Sequence, residues 1–523
     1  QLAEVRQLLM IKADTYKENG EADCALATYH QIIDLYRTIP PDKLLAETYK
    51  DLGDLYRMKQ DIAEGLQALN HALDIYRNLN DELEISHTLN NIGNIYWIAS
   101  DFDTALIQYR KSLRIKRRLK AIADVVTTLG NIAMIYGVKG RLKRSIRIME
   151  LCLSLNKERG DTRSIARTLN NLGYVYYYSG DLPKAVCCLR ESLDLNRRIG
   201  NKKEIMFNLE NLTGVMTTAG HLKEVLPLLR EGISLSERLM DNRHMAAFNL
   251  NIGTVHKRMG QFSAADRYYE IGERIVHDIG DRMLQVDAKV RRASLRYFLG
   301  DTFEARRLAE EAYQEAEKIN DKSARLSALL LITKVSSEPH FIEIAFHLAD
   351  ELHLHRERML ITVNLIESLL EQERQQDALV QAESFITQLD NIAEDIELAW
   401  MCNIAAELMI TRGEYVSALT FLNRAYRSAT ETGLMPELIT TLTLRGKVDF
   451  LNGKFENCYQ RYKSALQICR KIADNITNQT DRKLFENRRS VVFLLNEIKR
   501  LGKLMGQKKD RAFATVDPAQ LQS

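Results

Sequence analysis

Five asparagines recur at a spacing of 40 residues: Asn91, Asn131, Asn171, Asn211 and Asn251. A side-chain amide carries two N–H donors and a carbonyl acceptor, so it can pair with a polypeptide main chain whatever side chains that chain bears. A column of such amides has the chemistry to grip an extended segment. The same amides could instead brace neighbouring helices, because asparagine is unhelpful inside a helix unless it gains a hydrogen bond. The residues alone leave both readings open. Asn90, Asn94, Arg167, Asn170, Tyr174, Tyr177, Tyr178 and Lys257 are expected on the same face, as groove lining or as ordinary inter-repeat packing.

Other reactive residue types form no catalytic or metal frame. His340, His347, His353 and His355 cluster, but no pair has the i, i+4 spacing of a helical zinc site and no cysteine pair joins them. There is no phosphate-cradling P-loop, no GxSxG and no HExxH. No reaction, metal or cofactor is expected. The seven cysteines show no framework spacing, which reads as reduced thiols of a cytoplasmic protein.

The net charge of +3 on 523 residues argues against a dedicated nucleic-acid binder. One local cluster is basic: Arg110, Lys111, Arg114, Lys116, Arg117, Arg118 and Lys120, then Lys139, Arg141, Lys143, Arg144 and Arg147. It reads as a solvated helix face or, across residues 110–147, as the seat of an acidic partner. Aromatic residues for base stacking are not interleaved. No apolar run is long enough to span a bilayer.

The elements that must position the asparagines repeat with them. A small residue recurs as Ala13, Gly53, Gly93, Ala133, Gly173, Thr213, Gly253 and Ala293, and a tyrosine follows three residues later from Tyr16 to Tyr176. A turn column runs through Gly20, Ser100, Gly140, Gly180, Gly220, Gly260 and Gly300. Asp61, Asp101, Asp181 and Asp301 follow it, placed to cap a second helix. A second small column, including Ala105, Ala185 and Ala305, packs that helix on the first. A period of 40 residues with helical spacing of apolar positions predicts a repeat array, which escapes the size limit of a single closed core.

These columns of small residue, tyrosine, turn and alanine resemble the tetratricopeptide repeat over nearly the whole chain. The 40-residue period is similar to the longer repeats of the Pins polarity adaptors and kinesin light chains. That resemblance implies that Asn91, Asn131, Asn171, Asn211 and Asn251 hold an extended peptide in the groove. The two-lysine, two-asparagine carboxylate clamp of chaperone cofactors has no match here, so a C-terminal carboxylate ligand is not implied. The segment from Cys469 to Asp474, leading into Asp481 to Arg488, also resembles the repeat arms of large bacterial STAND ATPases and Ser/Thr kinases. Under that resemblance the chain is the regulatory arm of an enzyme. Its opening at Gln1, already within a helical pattern, leads us to expect a fragment of a longer polypeptide.

The expected fold is all-α, a right-handed α-solenoid of about twelve helical hairpins with a C-terminal capping helix pair. Residues 1–325 would hold eight regular units, 326–358 a short irregular joint, 359–478 three more units, 479–505 the cap and 506–523 a disordered tail. The joint could bend the array or divide it. In the cap, Asp481, Arg482, Lys483 and Glu486 are expected outside, with Val491, Leu494, Leu495 and Ile498 inside. The expected function is non-catalytic binding of a protein or peptide.

Overall fold

The computed structural model describes residues 2–18, 21–59, 61–336, 338–389, 392 and 395–510. Among them there are α-helices, one short 3-10 turn at Tyr36–Thr38 and no strand. The chain divides into two compact units, Gln1–Val175 and Tyr176–Ser523.

The first unit holds α1 (Leu2–Glu18), α2 (Ala22–Leu35), α3 (Lys43–Met58), α4 (Ile62–Asn78), α5 (Glu82–Ile98), α6 (Phe102–Arg118), α7 (Ile122–Val138), α8 (Leu142–Glu158) and most of α9 (Thr162–Tyr178). The second holds α10 (Leu182–Ile199), α11 (Lys202–Thr218), α12 (Leu222–Leu239), α13 (Asn242–Arg258), α14 (Phe262–Ile279), α15 (Arg282–Leu299), α16 (Thr302–Lys318), α17 (Lys322–Val335) and α18 (Pro339–Glu351). It continues with α19 (His355–Glu371), α20 (Gln375–Leu389), α21 (Leu398–Thr411), α22 (Tyr415–Thr432), α23 (Met435–Leu451), α24 (Phe455–Asp474), α25 (Gln479–Glu486) and α26 (Arg489–Asp510). Consecutive helices pack as hairpins within each unit, and the fold is an all-α repeat solenoid. The short hairpin α17–α18 lies wholly inside the second unit. Of the expected tail, residues 506–510 belong to α26, and 511–523 lie outside the described residues.

The physical period is half the sequence repeat. Most helices run 17 or 18 residues, and a left-handed residue ends them every 20 positions, as at Asn80, Ser100, Lys120, Gly140, Gly160 and Gly180. Aspartates then cap the next helix: the Asp101 carboxylate accepts from the Thr104 N–H at 3.0 Å and that of Asp301 from Glu304 at 3.1 Å. Asp81, Asp281 and Asp321 do the same for α5, α15 and α17.

Helices within a hairpin interlock through a small residue and a large one 16 positions later. A Cβ on Gly93 would lie 2.6 Å from the Tyr109 ring, and one on Gly253 2.5 Å from Tyr269. The absent side chain is the space that the ring fills, and Tyr109 and Tyr269 are fully buried there. Gly53 with Leu69 and Gly446 with Tyr462 repeat the arrangement.

The second unit closes on its own end. α13–α15 and α23–α26 share one apolar core in which Phe262 and Phe485 meet edge to face at 5.8 Å. Arg296 donates to Asp481 at 2.7 Å, so Asp481 is buried rather than on the outer face expected for it. Val491 and Leu494 are buried as expected, whereas Leu495 is exposed, because α26 turns it away from the contact with α24.

Burial also sorts the cysteines. Cys152, Cys458 and Cys469 are buried, and burial pushes their thiols up to about 12, about 11 and about 11. They pack as small hydrophobes, while Cys24 and Cys187 are exposed. Cys24 and Cys187 are therefore expected to react with a thiol reagent at once in native protein, and Cys152, Cys458 and Cys469 only on unfolding. Mass-spectrometric mapping of timed labelling checks this; early labelling of Cys152 would contradict its burial.

Candidate functional site

The first unit presents Asn91 on α5, Asn131 on α7 and Asn171 on α9, all half-buried. Each follows the buried apolar pair of its helix turn by two residues or precedes it by one, as Leu89 and Ile92 flank Asn91. The amides are thereby held on the edge of the core, neither sealed nor free-standing. Among the described residues Asn91 and Asn171 have no side-chain hydrogen-bond partner. Asn131 spends its N–H donors on Asn90 at 3.3 Å and Asn94 at 3.4 Å, at the long end of hydrogen bonding. Both acceptors have a second donor: Thr128 for Asn90 at 3.3 Å and the Tyr109 hydroxyl for Asn94 at 2.8 Å.

The neighbours sort by exposure. Asn90 is buried and Asn94 half-buried, and they act as the brace under Asn131. Arg167 is exposed, Tyr174 is exposed and Asn170 is half-buried. This strip of α5, α7 and α9 offers unspent amide groups, a cation and an aromatic edge, which suits a polar extended ligand.

In the second unit the column changes character. Asn211 is half-buried, but Asn251 accepts from the Arg291 guanidinium at 2.9 Å and belongs to a packed network. Arg291 also donates to Thr254 at 2.7 Å and pairs with Asp287 at 2.8 Å. Lys257, expected on the accessible face, is buried and donates to Ser294 at 2.6 Å. Burial, and then the Arg258 charge beside it, hold its ammonium well below the ordinary lysine range. Both corrections have one cause: α15 delivers Arg291 and Ser294 onto α13, 40 and 37 residues along the chain. Tyr177 stacks edge to face on the exposed Tyr178 at 5.2 Å.

Next to Lys257 lies an ion pair that periodicity does not signal. Arg258 and Glu397 are bonded with side-chain exposures of 18% and 13%. Burial opposes both charges, yet each is held by the other: Arg258 is raised and Glu397 is lowered to about 2. Beside it Ile396 donates its N–H to the Thr218 carbonyl at 2.7 Å, and Asp395 takes two bonds from Arg356 at 2.6 and 2.9 Å. The local pattern carries no cue to it: Arg258 follows His256 and Lys257, and Asp395 and Glu397 stand in an acidic stretch.

The basic cluster is less basic in place than in sequence. Lys116 is buried and donates to Thr128 at 3.0 Å, and burial lowers its pKa. Arg118 pairs with Glu82 at 2.6 Å and Lys139 with Asp103 at 2.5 Å. Among the described residues no three or more His, Cys, Asp or Glu side chains are placed to hold a metal, and no helix is long and apolar enough to cross a membrane.

Residues 4–78, 45–118 and 124–198 match the family model described as tetratricopeptide repeat. No curated protein sequence matches the chain. Solved structures do. The Rap protein complexed with competence and sporulation factor is 14% identical, over 82% of this chain and 98% of that one, with a TM-score of 0.46. The apo form of RapI is 16% identical, over 53% of this chain and 98% of that one, at 0.42. Aspartyl phosphate phosphatase F from Bacillus subtilis is 12% identical, over 67% of this chain and 94% of that one, at 0.44.

Proposed function

We propose that this chain, a tetratricopeptide repeat protein, is a non-catalytic scaffold that holds an extended polypeptide segment along the asparagine strip of its first unit. The observation that carries the reading is the pair Asn91 and Asn171: half-buried amides on one column with no hydrogen-bond partner among the described residues. An amide already desolvated in part, and fixed on a helix, loses little further freedom when a peptide main chain pairs with it. Asn131 sits between them on long bonds and can exchange these for a ligand. Arg167 and Tyr174 supply side-chain discrimination beside the strip. In the second unit Asn251 is spent on Arg291, so the reading rests on the front of the column.

The test is a random-peptide display screen on the full chain, followed by affinity and melting measurements on one triple variant, Asn91→Ala, Asn131→Ala and Asn171→Ala. Each amide supplies roughly 0.5–1.5 kcal/mol net, so affinity should fall by about 1.5–4.5 kcal/mol, or about 10- to 2,000-fold. Melting should change little, because Asn90 and Asn94 keep Thr128 and Tyr109 as donors. Lost stability with unchanged affinity of the folded fraction would make the column a brace and end the proposal.

A further inference from the structure

The second unit carries a partly open pocket of about 110 Å³ that the asparagine strip does not involve. Seven helices converge on it: Tyr297 comes from α15, Lys334 from α17, Glu367 from α19, Trp400 from α21, Glu437 from α23, Phe485 from α25 and Val491 from α26, with Arg488 entering from the turn before α26. Four of these side chains, Lys334, Glu367, Glu437 and Arg488, are charged groups of opposite sign. Among the described residues none of the four takes part in an ion pair.

Each charge is held near the cavity by something other than a counter-charge. The Lys334 ammonium lies 3.9 Å from the centre of the Trp400 ring and 5.5 Å from that of Tyr297, and it makes no hydrogen bond among the described residues. Arg488 gives one N–H to the Phe298 carbonyl at 2.8 Å, which leaves its other donors unspent. Glu367 accepts from the Trp400 indole N–H at 3.1 Å. Glu437 is only 8% exposed, and its Oε2 is buried with no hydrogen-bond partner among the described residues. An unpaired buried carboxylate oxygen is costly, and so is an ammonium without acceptors. Burial raises the pKa of both glutamates and outweighs the opposing charges nearby, Lys334 for Glu367 and Arg258 for Glu437.

The formal charges of Lys334, Arg488, Glu367 and Glu437 cancel. A bare anion would satisfy the two cations and worsen the position of the glutamates; a bare cation would do the reverse. A dipolar molecule carrying both charges satisfies all four. The volume is about that of four liquid waters, enough for a molecule of roughly five or six non-hydrogen atoms. We propose that this cavity binds a small zwitterion of the free α-amino acid class, its carboxylate towards Lys334 and Arg488 and its ammonium towards Glu437 and Glu367.

The full chain carries its own reporter. Its two tryptophans are Trp97, in the first unit, and Trp400, in the cavity wall. In a Trp97→Phe background, glycine and alanine should change Trp400 fluorescence and raise the melting temperature it reports. Acetate and methylamine, each half of the zwitterion, should bind roughly 10- to 150-fold more weakly, the value of one charge-assisted hydrogen bond lost. Lys334→Met and Glu437→Gln should each weaken alanine by the same factor. The ranking of the four small probes is read on the unsubstituted cavity, so it decides the matter even if a variant fails to fold. Absence of a saturable response to glycine and alanine overturns the proposal. So does acetate or methylamine binding as well as alanine, which would mark a simple ion site or water-filled space.

Discussion

Arg258→Met should destabilise the second unit by about 3–5 kcal/mol at neutral pH. The substitution keeps the length and apolar stem of the side chain but removes the cation bonded to Glu397. Glu397 would be left charged and nearly buried, near Glu437, whose own Oε2 has no hydrogen-bond partner among the described residues. A pair replaced as a pair behaves differently, so Arg258→Met with Glu397→Leu should recover most of the loss. Trp400 fluorescence in the Trp97→Phe background follows this unit alone, which matters because two units need not unfold together. A loss below about 1 kcal/mol would show that the pair is not a buried contact of this kind.

The same variant carries a pH signature. Glu397 has a folded pKa lowered to about 2, against 4.5 for the ordinary side chain. A depressed carboxylate contributes stability that is fully present above the unfolded value and is lost as pH falls through the folded one. That contribution therefore fades between about pH 4.5 and 2. Glu437 and Glu367 are raised by burial and act in the opposite sense, subtracting stability as pH climbs past 4.5. In Arg258→Met the depressing partner is gone, so the gap between variant and parent should narrow steadily below pH 4.5. A gap that stayed constant to pH 3 would assign the loss to packing rather than charge.

Local chemistry was legible in the sequence and long-range chemistry was not. The columns through Gly93, Tyr96 and Ala105 place helices, turns and hairpins because each depends on residues within one or two turns. The caps at Asp101 and Asp301 were readable for the same reason. The equivalent caps at Asp81, Asp281 and Asp321 stand at the other turn of the 40-residue repeat, outside the column that runs through Asp101 and Asp301. The roles of individual polar residues depended on partners delivered from elsewhere. Asn251 shares the column of Asn91, and Lys257 that of Tyr177, yet α15 covers them with Arg291 and Ser294. Asp481 reads as a surface acid until Arg296 reaches it from 185 residues away, and Glu397 until Arg258 does from 139. Lys116, in the midst of a basic run, turns inward to Thr128 because its helix position falls on the apolar stripe. Periodicity reports where a side chain lies around its helix, and it carries no information on which distant segment covers that place.

Tyr109→Ala should cost the first unit about 3–5 kcal/mol, the largest single-residue effect expected there. The ring is 2% exposed and fills the space that Gly93 leaves on α5. Truncation opens that space on a glycine, which has no side chain to relax into it. It also removes the hydroxyl that donates to Asn94 at 2.8 Å, leaving Asn94 with only the long bond from Asn131. Tyr109→Phe keeps the ring and should lose only about 0.5–1.5 kcal/mol, which separates packing from hydrogen bonding. The reciprocal change, Gly93→Ala, drives a methyl group into the ring and should cost about 1–3 kcal/mol. The pair Ala133 and Met149, both fully buried in the next hairpin at the same offset, shows that a larger small residue is accommodated by a slimmer partner. Gly93→Ala with Tyr109→Leu should therefore cost less than the sum of its single changes, with a coupling of about 0.5–3 kcal/mol. Trp97 fluorescence in a Trp400→Phe background reports all four variants. Additive losses would mean that Gly93 and Tyr109 do not share one space, and the interlock drawn between α5 and α6 would have to be abandoned.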